Sequence, residues 1–275
     1  MMKTSFSTLA CPDWSLEQVL DAAEMYGYDG VELRVLSREL DLWKLPEFGR
    51  GALAETRRRI EDHGLQIVCV CSSACFHSPD GRERDLNVES ALRMAEIAVG
   101  VGAPSVRVFP DRIQNGCDRA QTVNWIAEGL ANLAQKLEAG GVQLWLETHG
   151  DFATVSEVNE ILRLVSRGDV GIIWDPANAF SQHGEAPSLS PEMEERLRHV
   201  HAKDLRLNAE ETASYVLTGD GDFPFDRMLE LLKAIHYEGF VSFEWEKQWH
   251  PELAAPEVAL PHFMEWWKAR QVRQC

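Results

Sequence analysis

One pattern governs what this chain can fold into. A short, nearly continuous apolar run followed by an amphipathic helical stretch recurs eight times along its 275 residues. The runs are SFSTLA (5–10), GVELRVL (30–36), QIVCVCSS (66–73), SVRVFP (105–110), QLWLETH (143–149), VGIIWD (170–175), HVHAKDL (199–205) and GFVSFEWE (239–246). Strands covered by helices on both faces read as continuous apolar text, so these predict parallel strands. Helices are predicted over 15–26, up to 62, and over 86–99, 120–139, 155–166, 191–197, 223–236 and 257–270. Asp13 or Ser15 caps the first, and glycines at 27, 64, 100, 102, 140, 141 and 168 punctuate the stops. An open doubly wound sheet would place a glycine-rich phosphate turn after the first strand, but the text there is ACPDWS. The expectation is an α/β chain folded as one (β/α)8 TIM-barrel domain over residues 1–275, near the roughly 250 residues usual for that fold.

A net charge of −17 opposes nucleic acid and anionic membrane surfaces as partners and suits a neutral sugar or polyol. The N-terminal text MMKTSFSTLA does not read as a signal peptide, and no run reaches the 18 or more apolar residues of a membrane helix. The six cysteines include no CxxC pair and read as reduced thiols of a cytoplasmic protein. The cluster Cys69, Cys71 and Cys75 has donors for zinc, but Cys69 and Cys71 read as small apolar fillers on a strand, and a structural zinc site is not expected. The longest irregular stretch, 207–222, follows the seventh strand on the face where barrels carry their chemistry, and is a candidate lid.

Glu147, Asp175, His201 and Glu244 each stand near the carboxyl end of a run, on strands five to eight. In a barrel those ends converge on one mouth, where three carboxylates would repel one another unless a cation joined them. The set therefore predicts a site for one divalent ion, with Mn2+, Mg2+, Co2+ and Zn2+ all compatible with oxygen donors and one imidazole. Alternation puts His199 with His201 and Glu244 with Glu246 on shared faces. Spacing alone leaves the choice of glutamate open.

The segments LETHG, WDPAN, HVHAKD and GDGDFPFDRMLELLKAIHYEGFVSFEWE resemble the sugar phosphate isomerase/epimerase superfamily, the xylose isomerase-like TIM barrels that include ketose 3-epimerases and inosose isomerases and dehydratases. The resemblance runs over essentially the whole chain. It implies Glu147, Asp175, His201 and Glu244 as metal ligands, which selects Glu244 over Glu246. It also implies an ion that binds the substrate carbonyl and an adjacent hydroxyl. Glu147 and Glu244 would exchange protons across an enediolate, and the assembly would be a homodimer or homotetramer. Isomerisation or epimerisation of a small ketose or keto-polyol is the first expectation, and dehydration of the inosose type the alternative.

Sugar epimerases of this group commonly carry a histidine three positions after the strand-six aspartate; here that residue is Asn178. Apurinic-site endonucleases of the superfamily need that histidine and another on strand four, so this chain departs from them. A sugar-binding barrel without activity is disfavoured by the complete quartet. Further candidates for holding substrate are Asn178, His149, Arg107, Lys203, Arg206 and Trp14, with Glu32 and Arg34 as weaker strand-end charges.

Overall fold

In the computed structural model, which describes residues 2–166, 168, 170–207 and 213–272, the repeated runs form a closed ring of eight parallel strands. These are β1 (Lys3–Ser7), β2 (Gly30–Leu33), β3 (Gln66–Cys75), β4 (Ser105–Phe109), β5 (Gln143–Glu147), β6 (Val170–Trp174), β7 (Leu197–Ala202) and, after a hairpin of β8 (Asp204–Leu207) and β9 (Ala213–Val216), β10 (Phe240–Phe243). Each strand pairs in parallel with its neighbour, and β1 closes on β10 through Ser5 opposite Ser242. The helices are α1 (Leu16–Tyr26), α2 (Leu53–Asp62), α3 (Gly81–Val101), α4 (Arg119–Leu137), α5 (Val155–Leu162), α6 (Pro176–His183), α7 (Pro191–Arg196), α8 (Phe225–Ala234) and α9 (Pro256–Val272). The predicted (β/α)8 barrel is the fold.

Local chemistry explains where elements start. Ser15 accepts the Gln18 N–H while the Gln18 side chain accepts the Ser15 N–H, a reciprocal cap for α1, and Gly27 ends the helix at φ 81°. Asp13 pairs with Arg38 instead of capping. Helix α3 begins at Gly81 rather than near Leu86, because Asp80 caps it and its polar first turn masks the helical period. The α6 segment was not expected as a helix; Asp175 caps it and Pro176 starts it.

Two apolar compartments result. The larger packs the outer faces of the strands against the helices. A smaller one inside the ring joins Val68, Cys69 and Cys71 of β3, Trp145 of β5 and Ile173 of β6, with Phe240 of β10 against them. Cys69 and Cys71 are thus interior fillers, as expected. Cys75 separates from them and belongs to the rim. Side chains two residues apart share a face of a strand. Glu147, Asp175 and Glu244 therefore stand directly above Trp145, Ile173 and Ser242, and His201 stands above His199.

The stretch expected as an irregular lid is a pinned hairpin instead. Strands β8 and β9 pair antiparallel from Asp204 opposite Val216 to Leu207 opposite Ala213; residues 208–212 of the expected lid lie outside the described residues. The buried Asp204 carboxylate accepts N–H groups from Leu205, Gly219, Gly221 and Phe223 at 2.7–3.3 Å. Gly221 is required: a Cβ there would lie 2.2 Å from Asp204 Oδ1. Among the described residues no helix is long and apolar enough to cross a membrane. Trp267 packs α9 into the core, with Trp266 beside it against Phe263 and Phe225.

Candidate active site

At the carboxyl ends of β5, β6, β7 and β10, Glu147, Asp175, His201 and Glu244 bring one donor atom each within 4.8 Å of one another, all buried. His201 is the centre of the group. Its Nε2 lies 2.9 Å from Glu32 Oε2, so this nitrogen carries the proton and donates it. Its Nδ1 faces Glu244 Oε1 at 3.5 Å, Asp175 Oδ2 at 3.6 Å and Glu147 Oε1 at 3.7 Å. Among the described residues, Nδ1 has no hydrogen-bond partner although it is buried. Such spacings exceed hydrogen bonds but suit ligands around one ion held by bonds of about 2.0–2.2 Å.

Charge points the same way. Glu32, Glu147, Asp175, Glu244 and Glu246 face three cations, Arg34, Arg107 and Lys203, so with every carboxyl ionised and His201 neutral, as a ligand must be, the site lacks two positive charges. One divalent ion supplies them. Without it, burial, aided by Glu246 and Glu147, pushes the Glu244 carboxyl up to about 8 against the opposing charges of Lys203 and His201. Burial also opposes charge on Asp175, yet Lys203 and His201 outweigh it and hold this carboxyl well below the usual range. For His201, burial is overcome by Glu32, Glu244 and Glu147, which raise its pKa well above the ordinary value. The field at Nδ1 therefore attracts positive charge, and the four residues fit a divalent ion.

The other predicted residues divide into those drawn to the site and those left outside it. Lys203 is buried, with Nζ 2.6 Å from Glu244 Oε2, 2.8 Å from Asp175 Oδ2 and 3.0 Å from Glu246 Oε1. Arg107 sits with Nε 3.4 Å from Glu147 Oε2 and its guanidinium 3.7 Å over the Phe109 ring. His149 packs against Phe109 at the rim, with the two rings tilted by 48°. Together with Arg34, Glu244, Glu246 and Trp249, these last residues line a cavity of about 200 Å³.

Asn178 is buried beside the quartet, but its amide donates to the Thr148 carbonyl at 2.9 Å and ties α6 to the end of β5. Arg206 is not in the site: it lies exposed on the hairpin and donates to the Asp220 carbonyl. Trp14 lines a separate cleft with Pro12, Arg38 and Lys247. A larger cavity, about 610 Å³, opens at the opposite end of the ring around Gln66, Trp145 and Phe240. It holds none of the quartet, and barrel chemistry belongs to the C-terminal face.

Two groups carry more of the site than their sequence text suggests. Glu32 Oε2 accepts from His199 Nε2 at 2.8 Å as well as from His201, at the very centre of the ring. Glu246, passed over in favour of Glu244, holds Lys203. The alternating face shared by His199 with His201, and by Glu244 with Glu246, is the signal that reaches both.

Comparison with known proteins places this geometry. A family model described as a xylose isomerase-like TIM barrel matches residues 20–270. The inosose isomerase of Bacillus velezensis is 23% identical over 252 residues, covering 89% of this chain and 88% of that protein. An inosose dehydratase of Klebsiella pneumoniae is 29% identical over 150 residues, 48% of this chain and 49% of its own. Among solved structures, the IOLI protein with a bound zinc atom superimposes with a TM-score of 0.75 at 23% identity, covering 95% of both chains.

Proposed function

The chain belongs to the xylose isomerase-like TIM-barrel family, and on that footing we propose that it is a divalent-metal-dependent sugar isomerase or epimerase acting on a small ketose or keto-polyol. The observation that carries this reading is the convergence of three carboxylates on the unpaired His201 Nδ1 beside a small polar cavity. An ion held by Glu147, Asp175, His201 and Glu244 would act as Lewis acid on the substrate carbonyl and fix the neighbouring hydroxyl.

The protein's own groups do the rest. Glu147 and Glu244 both line the cavity, so a substrate lying between them meets a carboxyl on each side. One takes the proton beside the carbonyl and the other returns a proton across the enediolate. Arg107 braces Glu147, and Lys203, held by Asp175 and Glu246, braces Glu244. Such bracing keeps the two carboxyls at fixed positions against the substrate. His149 and Trp249 stand where they can cover it.

The isomerase-named relative matches along most of this chain and the dehydratase-named one along about half, which supports isomerisation first. Dehydration is the second reading. It needs a proton for a departing hydroxyl, and the Glu244 carboxyl, which burial pushes up to about 8, is a source within the site.

The test is a screen of ketoses and inososes with metal-stripped protein restored with Mn2+, Mg2+, Co2+ or Zn2+. Products are analysed by mass, because isomerisation conserves it and dehydration removes one water. Glu147→Gln and Glu244→Gln should each lower kcat by about 10²–10⁴-fold with the fold retained. Undiminished turnover in either variant overturns the assignment.

A further inference from the structure

A second group of metal-ligating side chains meets at the rim where β3 and β4 end. Cys75, His77 and Asp111 bring one donor atom each within 4.8 Å of one another. His77 is only 5% exposed, and its buried Nδ1 has no hydrogen-bond partner among the described residues. That nitrogen faces Asp111 Oδ2 at 3.7 Å, too long for a hydrogen bond. It is close to the edge between two ligands of a tetrahedral ion, on the order of 3.3 Å for bonds of about 2.0 Å. We propose that Cys75, His77 and Asp111 form a second metal site, separate from the quartet and suited to Zn2+.

The backbone is shaped to assemble it. Along β3 and β4, Cys71 lies opposite Arg107 but Cys75 opposite Phe109, so β3 bulges between them. A bulge re-aims the side chains that follow, which carries Cys75 away from the interior cysteines Cys69 and Cys71. Asp111 is a non-glycine residue at φ 64°. Its carbonyl accepts the Asp151 N–H at 2.8 Å, and Gly150 packs so closely that a Cβ there would lie 1.9 Å from the same oxygen. These contacts hold Asp111 in a left-handed conformation that such residues seldom adopt. Its carboxylate is thereby held between His77 and His149, whose Nδ1 lies 3.8 Å from Oδ1.

Donor chemistry separates this site from the first. A thiolate with an imidazole and a carboxylate selects zinc, whereas Mg2+ and Mn2+ favour sets dominated by oxygen. Three protein ligands leave a fourth position for water. Asp111 and Glu83 add negative charge around Cys75, and Arg112 opposes them. An ion here would tie the turns after β3 and β4 to each other and brace Asp111 against the rim residue His149.

The two sites are told apart by sulfur, since the quartet contains none. The full-length protein is stripped, reloaded with Co2+ and read by near-ultraviolet absorption for thiolate-to-cobalt charge transfer, with metal per chain measured by elemental analysis. The expected result is two equivalents and a charge-transfer band. Cys75→Ser should abolish the band and leave one equivalent. His77→Gln, with its fold checked by circular dichroism, should also leave one. Asp175→Asn, which weakens the quartet, should keep the band. The proposal is overturned if saturating Co2+ gives no band, if Cys75→Ser leaves band and stoichiometry unchanged, or if Asp175→Asn removes the band.

Discussion

Asp175 illustrates why a strand-end acid is ambiguous as text. Its Oδ1 accepts the N–H groups of Ala177 and Asn178 and caps α6, while its Oδ2 faces His201 and Lys203. Capping falls to one oxygen, and the proposed ligation would fall to the other. Glu32 is the less visible case. It also ends an apolar run, but its two histidine partners lie 167 and 169 residues away, a contact that only closure of the barrel creates. By accepting from His201 Nε2 it fixes the tautomer that leaves Nδ1 free to ligate, the usual task of a carboxylate behind a metal-bound imidazole. Glu32→Gln should therefore weaken divalent-metal binding by about 10–100-fold, measured by competition against a chelating dye. An unchanged Kd would remove Glu32 from the site. The quartet was legible because four acids and imidazoles stood at equivalent positions in apolar text. Arg206 and Trp14 were misplaced because nearness to a strand end does not say which way the following loop turns.

Elements were legible wherever hydrophobic period and helix stops agreed, as in the eight strands and in α1, α4 and α9. What escaped was structure specified by polar contacts rather than period. The hairpin β8–β9 is the clearest instance: its text is mixed and polar, and its shape is set by Asp204 gathering four N–H groups from a loop more than a dozen residues downstream and from its own neighbour. Helix α6 follows the same logic, since its cap is also a site residue. Asp204→Ala would strand those donors, three of them in the loop that joins the hairpin to α8. The expected cost is about 2–4 kcal/mol in urea unfolding, with faster amide exchange at Gly219 and Gly221. Loss of less than half a kcal/mol would mean that the turn is held by something other than this carboxylate.

At the scale of the whole molecule, the quartet draws on four consecutive strands of the ring, β5, β6, β7 and β10. An ion held as proposed would fasten half the barrel at its open end and so link site occupancy to global stability. Binding to the native state alone adds about 2.7 kcal/mol at a free metal concentration of 100 Kd. That corresponds to a rise in Tm of roughly 5–10 °C for a chain of this size class. Proton linkage sets the pH dependence. With its folded pKa raised to about 8 from an ordinary 4.5, Glu244 in the metal-free protein binds a proton on folding between those values. The associated stability is fully present below pH 4.5 and is lost as pH rises through 8. Metal must expel that proton, so its apparent affinity grows over the same interval. The rise in Tm on adding a fixed excess of Mn2+ should consequently be larger at pH 8.5 than at pH 6.5. Glu244→Gln, which has no carboxyl proton to release, should narrow the difference to the part that comes from His201, whose pKa is also raised. A metal-induced rise in Tm that is equal at both pH values in the wild type would show that Glu244 is already ionised before the ion arrives.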